Sequence, residues 1–222
     1  MMTKPYQVSM EIAGPTAIWT RPDTGDCPTS YPAPTYSAVK GIFSSVFWGP
    51  ATEVVPFKVE ICAPLHYHSY NTNYGGPLRK STQIEDNNSF QLLATVLTDV
   101  CYKLYAHIYP TRAKDKLPPS AIAWDRRTTS PGHAYKAIFE RRLKKGDWWA
   151  LPALGWREFT PSYVGPLRAE TKPCDISTVL PSMLRDVFGG GGYKSAQKFI
   201  YDQNVEIKKG VLIYPEREAT HA

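Results

Sequence analysis

Val96-Leu97-Thr98-Asp99-Val100-Cys101-Tyr102-Lys103-Leu104-Tyr105-Ala106-His107-Ile108 alternates over its whole length. Val96, Thr98, Val100, Tyr102, Leu104, Ala106 and Ile108 face one way, and Asp99, Cys101, Lys103, Tyr105 and His107 face the other. A period of two with one apolar side predicts a strand lying on a core. Upstream, Val55, Phe57, Val59 and Ile61 alternate with Lys58 and Glu60, predicting a second strand over 53–62. Earlier still, Tyr6, Val8, Met10 and Ile12 alternate with Gln7, Ser9 and Glu11, in a strand that Gly14-Pro15 is expected to end.

The segments between these strands change period. After a turn-rich stretch with Pro22, Gly25, Pro28, Pro32 and Pro34, Thr35 stands as a helix N-cap. Tyr36, Val39, Phe43 and Val46, with Ile42 and Phe47 beside them, repeat at helical spacing until Gly49-Pro50. Beyond the 96–108 strand, Ser130-Pro131 opens a second helix through 133–143, which Gly146 closes. A further strand is expected over 156–160. The order strand, helix, strand, strand, helix, strand predicts an α+β fold of the ferredoxin-like or RRM type.

That order assigns 1–164 to one domain, interrupted by an irregular insertion at 64–90 rich in Tyr, Asn and Gly. Residues 165–222 form a small, mainly β, C-terminal region. Within it a short helix is expected around 177–187, interrupted by Pro181, and a hairpin at 197–201 and 205–214. Gly189-Gly190-Gly191-Gly192 lacks a following Gly-Lys-Ser/Thr and reads as a connector.

The composition is that of a globular protein, with 42% hydrophobic and 21% charged residues. No apolar run is long enough for a membrane helix, and the N-terminus passes directly into strand-like sequence. A soluble, cytoplasmic protein without membrane contact is expected. Cys27, Cys62, Cys101 and Cys174 form no CxxC pair, so free thiols and no metal site are expected. His66-x-His68 is at most half a metal site. No cofactor is expected, because HExxH, GxSxG, paired-carboxylate and dinucleotide patterns are absent from the sequence.

A net charge of +6 and a pI near 9.0 point to a polyanionic partner. Residues 121–150 hold seven basic side chains (Arg126, Arg127, Lys136, Arg141, Arg142, Lys144, Lys145) against three acidic ones (Asp125, Glu140, Asp147). Together with 14 Tyr and 6 Trp, this favours RNA, which is held by phosphate neutralisation and base stacking. An ordinary solvated helix face is the competing reading of the same charge run.

Several motifs resemble the CRISPR-associated Cas-five family of the RAMP superfamily, in its type I-C branch. Ala33-Pro34-Thr35-Tyr36-Ser37-Ala38-Val39-Lys40-Gly41-Ile42 is similar to that family's first-helix motif, and Gly14…Ala17-Ile18-Trp19-Thr20-Arg21-Pro22 to its preceding turn. Thr98-Asp99-Val100-Cys101-Tyr102 resembles its L-x-D-V-x-Y strand. Phe139-Glu140-Arg141-Arg142-Leu143-Lys144-Lys145-Gly146 and Leu154-Gly155-Trp156-Arg157-Glu158-Phe159 resemble its R-R-x-x-x-G and L-G-x-R-E-F pair. The matches fall in order over residues 5–160, and the C-terminal sixty or so residues match less well.

The resemblance implies an RRM-like domain whose insertion at 64–90 is a thumb. It implies a Cascade subunit in antiviral defence that binds the 5′ handle of crRNA and caps the Cas-seven backbone. The large subunit of Cascade would be a further partner, as would target DNA in the assembled complex. From their places on helix faces, helix openings and the third strand, the expected RNA contacts are Lys40, Lys103, His107, Arg126, Arg127, Lys136, Arg141 and Arg142, whereas the resemblance implies that Arg157 is structural. The RNP1 aromatic signature is absent, so contacts are expected from loops and helix ends rather than from the sheet.

Processing members of that branch cut precursor crRNA without metal, activating a ribose 2′-OH against the adjacent phosphorus. They use a Tyr at the end of the first helix and a Lys-His pair opening the second. Those positions hold Phe47, Ala134 and Tyr135 here. Binding without cutting is therefore expected. The alternative is a metal-independent endoribonuclease rebuilt from His133, Lys136 and Tyr135, with Tyr36 as a further group. A purely structural, protein-binding subunit is the third reading.

Overall fold

The computed structural model describes residues 5–74, 81–86, 90–111, 117–125, 130–187 and 199–216. Its strands are β1 (Tyr6–Ala17), β2 (Thr52–Ile61), β3 (His66–Tyr74), β4 (Phe90–Pro110), β5 (Tyr163–Gly165), β6 (Thr178–Asp186), β7 (Ile200–Lys208) and β8 (Val211–Ile213). Its helices are α1 (Tyr36–Val46), α2 (Ser81–Glu85), α3 (Pro119–Asp125) and α4 (Pro131–Lys145). The strands make one antiparallel sheet in the order β5-β1-β4-β2-β8-β7-β6, with β3 paired to β4 off that path. The chain is α+β.

The 96–108 run lies at the centre of this sheet, as its alternation predicts. Tyr102, Leu104, Ala106 and Ile108 are buried on the helix-bearing side, with β1 along one flank and β2 along the other. α1 buries Val39, Ile42, Phe43 and Val46, and α4 buries Tyr135, Phe139 and Leu143. The Phe43 and Phe139 rings meet at 5.5 Å and join the two helices over the sheet. Thr35 caps α1 by accepting from Ala38 N–H at 3.2 Å, and Ser130 caps α4 by accepting from His133 N–H at 3.3 Å.

Several local expectations are corrected. β1 does not end at Gly14-Pro15. The ladder passes from Gly14 opposite Val100 to Thr16 opposite Thr98, and across that step Asp99 takes a positive φ of 53°. Proline is tolerated where the ladder is already irregular. The 177–187 segment is strand β6 rather than a helix. It forms the end of the sheet, where Pro181 falls between the paired Leu180 and Ser182 and its missing N–H is tolerated.

Residues 156–160 form a turn rather than a strand: Phe159 N–H bonds Trp156 O at 3.0 Å and Leu154 N–H bonds Phe159 O at 2.8 Å. Gly155 there has φ +98°, and a Cβ would stand 1.7 Å from Ile18 O. The closing strand is β5 instead. The fourth correction is the 64–90 stretch, whose first part is regular: β3 pairs with β4 from His66 opposite Thr98 to Tyr74 opposite Phe90. Its described side chains are mostly exposed on both faces, so no hydrophobic alternation marked it.

The C-terminal strands extend the same sheet, β8 pairing with β2. The expected C-terminal hairpin is present, but its turn lies not at 202–204 but at Lys209 and Gly210, both at positive φ, a tight two-residue link between β7 and β8. The Gly189–Gly192 loop lies outside the described residues.

Candidate nucleic-acid interface

The sheet face without helices is covered over the β1–β4 pair, where an RRM would be open. Glu11, fully buried on β1, and Lys103, 8% exposed on β4, stand opposite one another. The segment after β5 is strapped across them. Glu11 Oε2 accepts from Arg168 N–H at 2.8 Å, and Oε1 accepts from Arg168 Nε at 2.7 Å, Nη2 at 2.6 Å and Thr171 Oγ1 at 3.0 Å. Lys103 Nζ donates to Arg168 O at 2.9 Å and Thr171 O at 2.6 Å. Burial alone raises the pKa of Glu11, but the bonds from Arg168 and Thr171 outweigh it and leave the carboxyl lowered.

The expected RNA contacts thus separate. Lys103 is spent on main-chain carbonyls and presents no surface charge. His107 lies further along the same face, stacked on Phe57 at 4.2 Å and edge-on to Tyr109 at 6.2 Å. Its partial burial lowers the imidazole pKa. Beside it, Lys58 Nζ sits 3.9 Å over the Tyr105 ring and pairs with Glu60 at 2.7 Å.

On the helix side, Lys40 is exposed on α1 with Nζ 4.0 Å from Glu53 Oε1. Arg141 is exposed on α4, and the Arg142 guanidinium lies 5.5 Å over the Phe47 ring. Arg126 and Arg127 lie outside the described residues.

The fold does bring Phe47 to the opening of α4. Its ring is 5.0 Å from Tyr135, whose hydroxyl donates to Phe47 O at 2.7 Å. Tyr135 is 1% exposed and burial raises its pKa well above the usual tyrosine range, so it is a packing residue and not an acid or base for RNA. Ala134, between it and His133, adds no charge.

His133 is exposed, 5.8 Å edge-on to Tyr6, whose hydroxyl lies 3.2 Å from Ser130 Oγ. Lys136 Nζ pairs with Glu140 at 3.6 Å, one turn on. His133 and Lys136 therefore have separate partners. Tyr36 is at the far end of α1, under the Arg185 guanidinium at 4.0 Å and edge-on to Tyr214 at 5.6 Å. Arg157 is exposed in the turn after Leu154.

Sequence reasoning missed Trp48 and Trp149, 58% and 69% exposed, one following Phe47 and the other bonded through its backbone N–H to Val46 O. Their exposure was the missing signal, and sequence alone does not carry it.

All four cysteines are free. Among the described residues no group of three His, Cys, Asp or Glu side chains converges to hold a metal, and no helix is long and apolar enough to cross a membrane.

The family described as CRISPR-associated protein (Cas_Cas5) matches residues 8–210. A CRISPR pre-crRNA endoribonuclease Cas5d of Mannheimia succiniciproducens is 32% identical, covering 94% of this chain and 95% of its own length. A protein of the same name from Thermus thermophilus is 28% identical over 82% of this chain and 73% of its own. Two solved structures share the fold, each with a TM-score of 0.68 and 18% identity. One is a CRISPR-associated protein, covering 96% of this chain and 95% of that one. The other is a functionally uncharacterized protein from Streptococcus mutans, covering 95% and 93%.

Proposed function

Because the chain belongs to the CRISPR-associated Cas5 family, of the type I-C (Cas5d) kind, we propose that it binds the 5′ handle of crRNA in Cascade without cutting it. The carrying observation is the state of the α1–α4 junction. By the motif resemblance, Phe47, Ala134 and Tyr135 fall at the positions where the family's processing members hold a Tyr and a Lys-His pair. Phenylalanine and alanine have no proton to move, and the Tyr135 hydroxyl is buried and committed to Phe47 O. General acid–base catalysis needs groups within hydrogen-bond reach of the scissile phosphate. What remains around that junction is cationic and aromatic: Arg141, Arg142, Lys144, Lys145 and the two exposed indoles.

The βαββαβ connectivity of β1, α1, β2, β4, α4 and β5, with order β5-β1-β4-β2, supports reading 1–164 as an RRM-like domain. The β3–β4 hairpin is then its thumb, and 165–222 a C-terminal region added at the β2 edge. The same reading places the chain at the end of the Cas-seven backbone, next to the large subunit and, in the assembled complex, target DNA.

Binding of a CRISPR repeat RNA, followed across a salt series, tests the proposal. Contact with several phosphates gives a steep log–log slope, whereas a flat one points to a purely structural subunit. The names of the two relatives favour one rival, a metal-independent endoribonuclease built from His133, which lies beside Tyr6, with Lys136 and Tyr135 on the same helix. Incubation of the repeat RNA in EDTA decides between them. Intact RNA is expected; cleavage that His133→Ala abolishes overturns the non-cutting reading.

A further inference from the structure

We infer that Trp48 and Trp149 form a stacking site for unpaired bases of single-stranded RNA, with Arg142, Lys144 and Lys145 facing the adjoining phosphates. The inference rests on the RNA-binding reading above and adds the residues that grip the bases.

α1 stops at Val46, and its C-cap Phe47 is extended at φ −155°, ψ 127°, which carries Trp48 out of the helix. On the other side, α4 ends at Gly146 in the left-handed conformation and the chain turns back on α1. Trp149 N–H then donates to Val46 O at 3.2 Å and Ala150 N–H to Ser45 O at 2.8 Å. Two main-chain bonds thus hold the backbone of Trp149 against the end of α1, two residues from Trp48. Trp19, by contrast, is 2% exposed and its Nε1–H bonds Tyr102 Oη at 3.1 Å, while Trp148 and Trp156 are partly buried against the core. At the α1–α4 junction Trp48, Trp149 and Leu151 are instead 58%, 69% and 60% exposed.

Charge identifies the occupant. The last turn of α4 carries Arg142, Lys144 and Lys145, and Arg142 lies on the Phe47 ring next to Trp48. Glu140, one turn earlier, is paired with Lys136, and the exposed Asp147 is the one carboxylate set against these three cations between α4 and Trp149. Lysine is depleted from protein–protein interfaces, whereas indole faces flanked by cations are the means by which single strands are held. A duplex keeps its bases stacked and offers such a surface only phosphates.

The test uses the full chain with a short unstructured RNA of mixed sequence and, in parallel, a blunt duplex of that sequence. Tryptophan emission and affinity are read together. The single strand is expected to quench emission and the duplex not to. Trp48→Ala and Trp149→Ala are each expected to weaken single-strand binding about tenfold. Trp→Phe at either position should lose less, and the salt slope should not change, because no charge is removed.

Unaltered affinity in the Trp48→Ala/Trp149→Ala variant, while the wild type binds, would overturn this inference and leave the RNA-binding reading standing. Loss of co-purifying protein subunits with RNA affinity intact would overturn it in favour of a protein partner. A wild-type chain that binds no RNA at low salt would overturn both readings.

Discussion

Replacing Glu11 by Gln tests the strap that covers the helix-free face of the sheet over β1 and β4. The carboxylate is fully buried and receives three bonds from Arg168 and one from Thr171. Glutamine keeps the shape, but it removes the charge and turns an amide nitrogen towards donors. Breaking one member of a buried pair costs about 3–5 kcal/mol. Arg168 is 38% exposed and recovers part of this by turning to water, so the expected loss is about 3 kcal/mol.

In a chain of this size that lowers Tm by about 6–12 °C and the urea midpoint by about 1 M. The pH dependence has a definite sign. Since the folded pKa of Glu11 is lowered, its contribution is complete above the unfolded value of about 4.3 and is lost as pH falls through the folded value. The Gln variant should lack that acid-side loss. Local opening should also show as faster tryptic cutting after Arg168. A Glu11→Gln chain within about 0.5 kcal/mol of the wild type in urea would refute the clamp.

Lys103→Met should destabilise the chain while leaving the salt slope of RNA binding unchanged, whereas Arg142→Ala should lower that slope by about one; comparing the two slopes checks which lysine and arginine meet RNA. Tyr135→Phe removes the donor to Phe47 O and should cost about 1 kcal/mol by urea denaturation, with RNA affinity unaltered because the hydroxyl is buried.

The two main helices, their caps and the three central strands were legible in the sequence, except that a bulge between Pro56 and Lys58 turns Phe57 to the His107 face. Each rests on a period of apolar residues or on a local cap such as Thr35 or Ser130, and those signals are written in neighbouring residues. β3 was not legible, because its described side chains are mostly exposed and carry no apolar alternation, and β6 was misread because Pro181 signals a break unless its strand is known to lie at an edge. The candidate site divided in the same way. The identities of Phe47, Ala134 and Tyr135 are in the sequence; that Tyr135 is buried against Phe47, and Tyr36 a helix-length away, is not.

Charge and composition marked this as a basic, aromatic-rich chain suited to a polyanion, and the order of its apolar periods made it α+β. Only the tertiary structure decided which cations are free to meet one. It sank Lys103 beneath the strap held by Glu11 and Arg168, and left Arg142, Trp48 and Trp149 at the surface. Exposure depends on pairings between residues far apart in the chain, and no local pattern of residues encodes those.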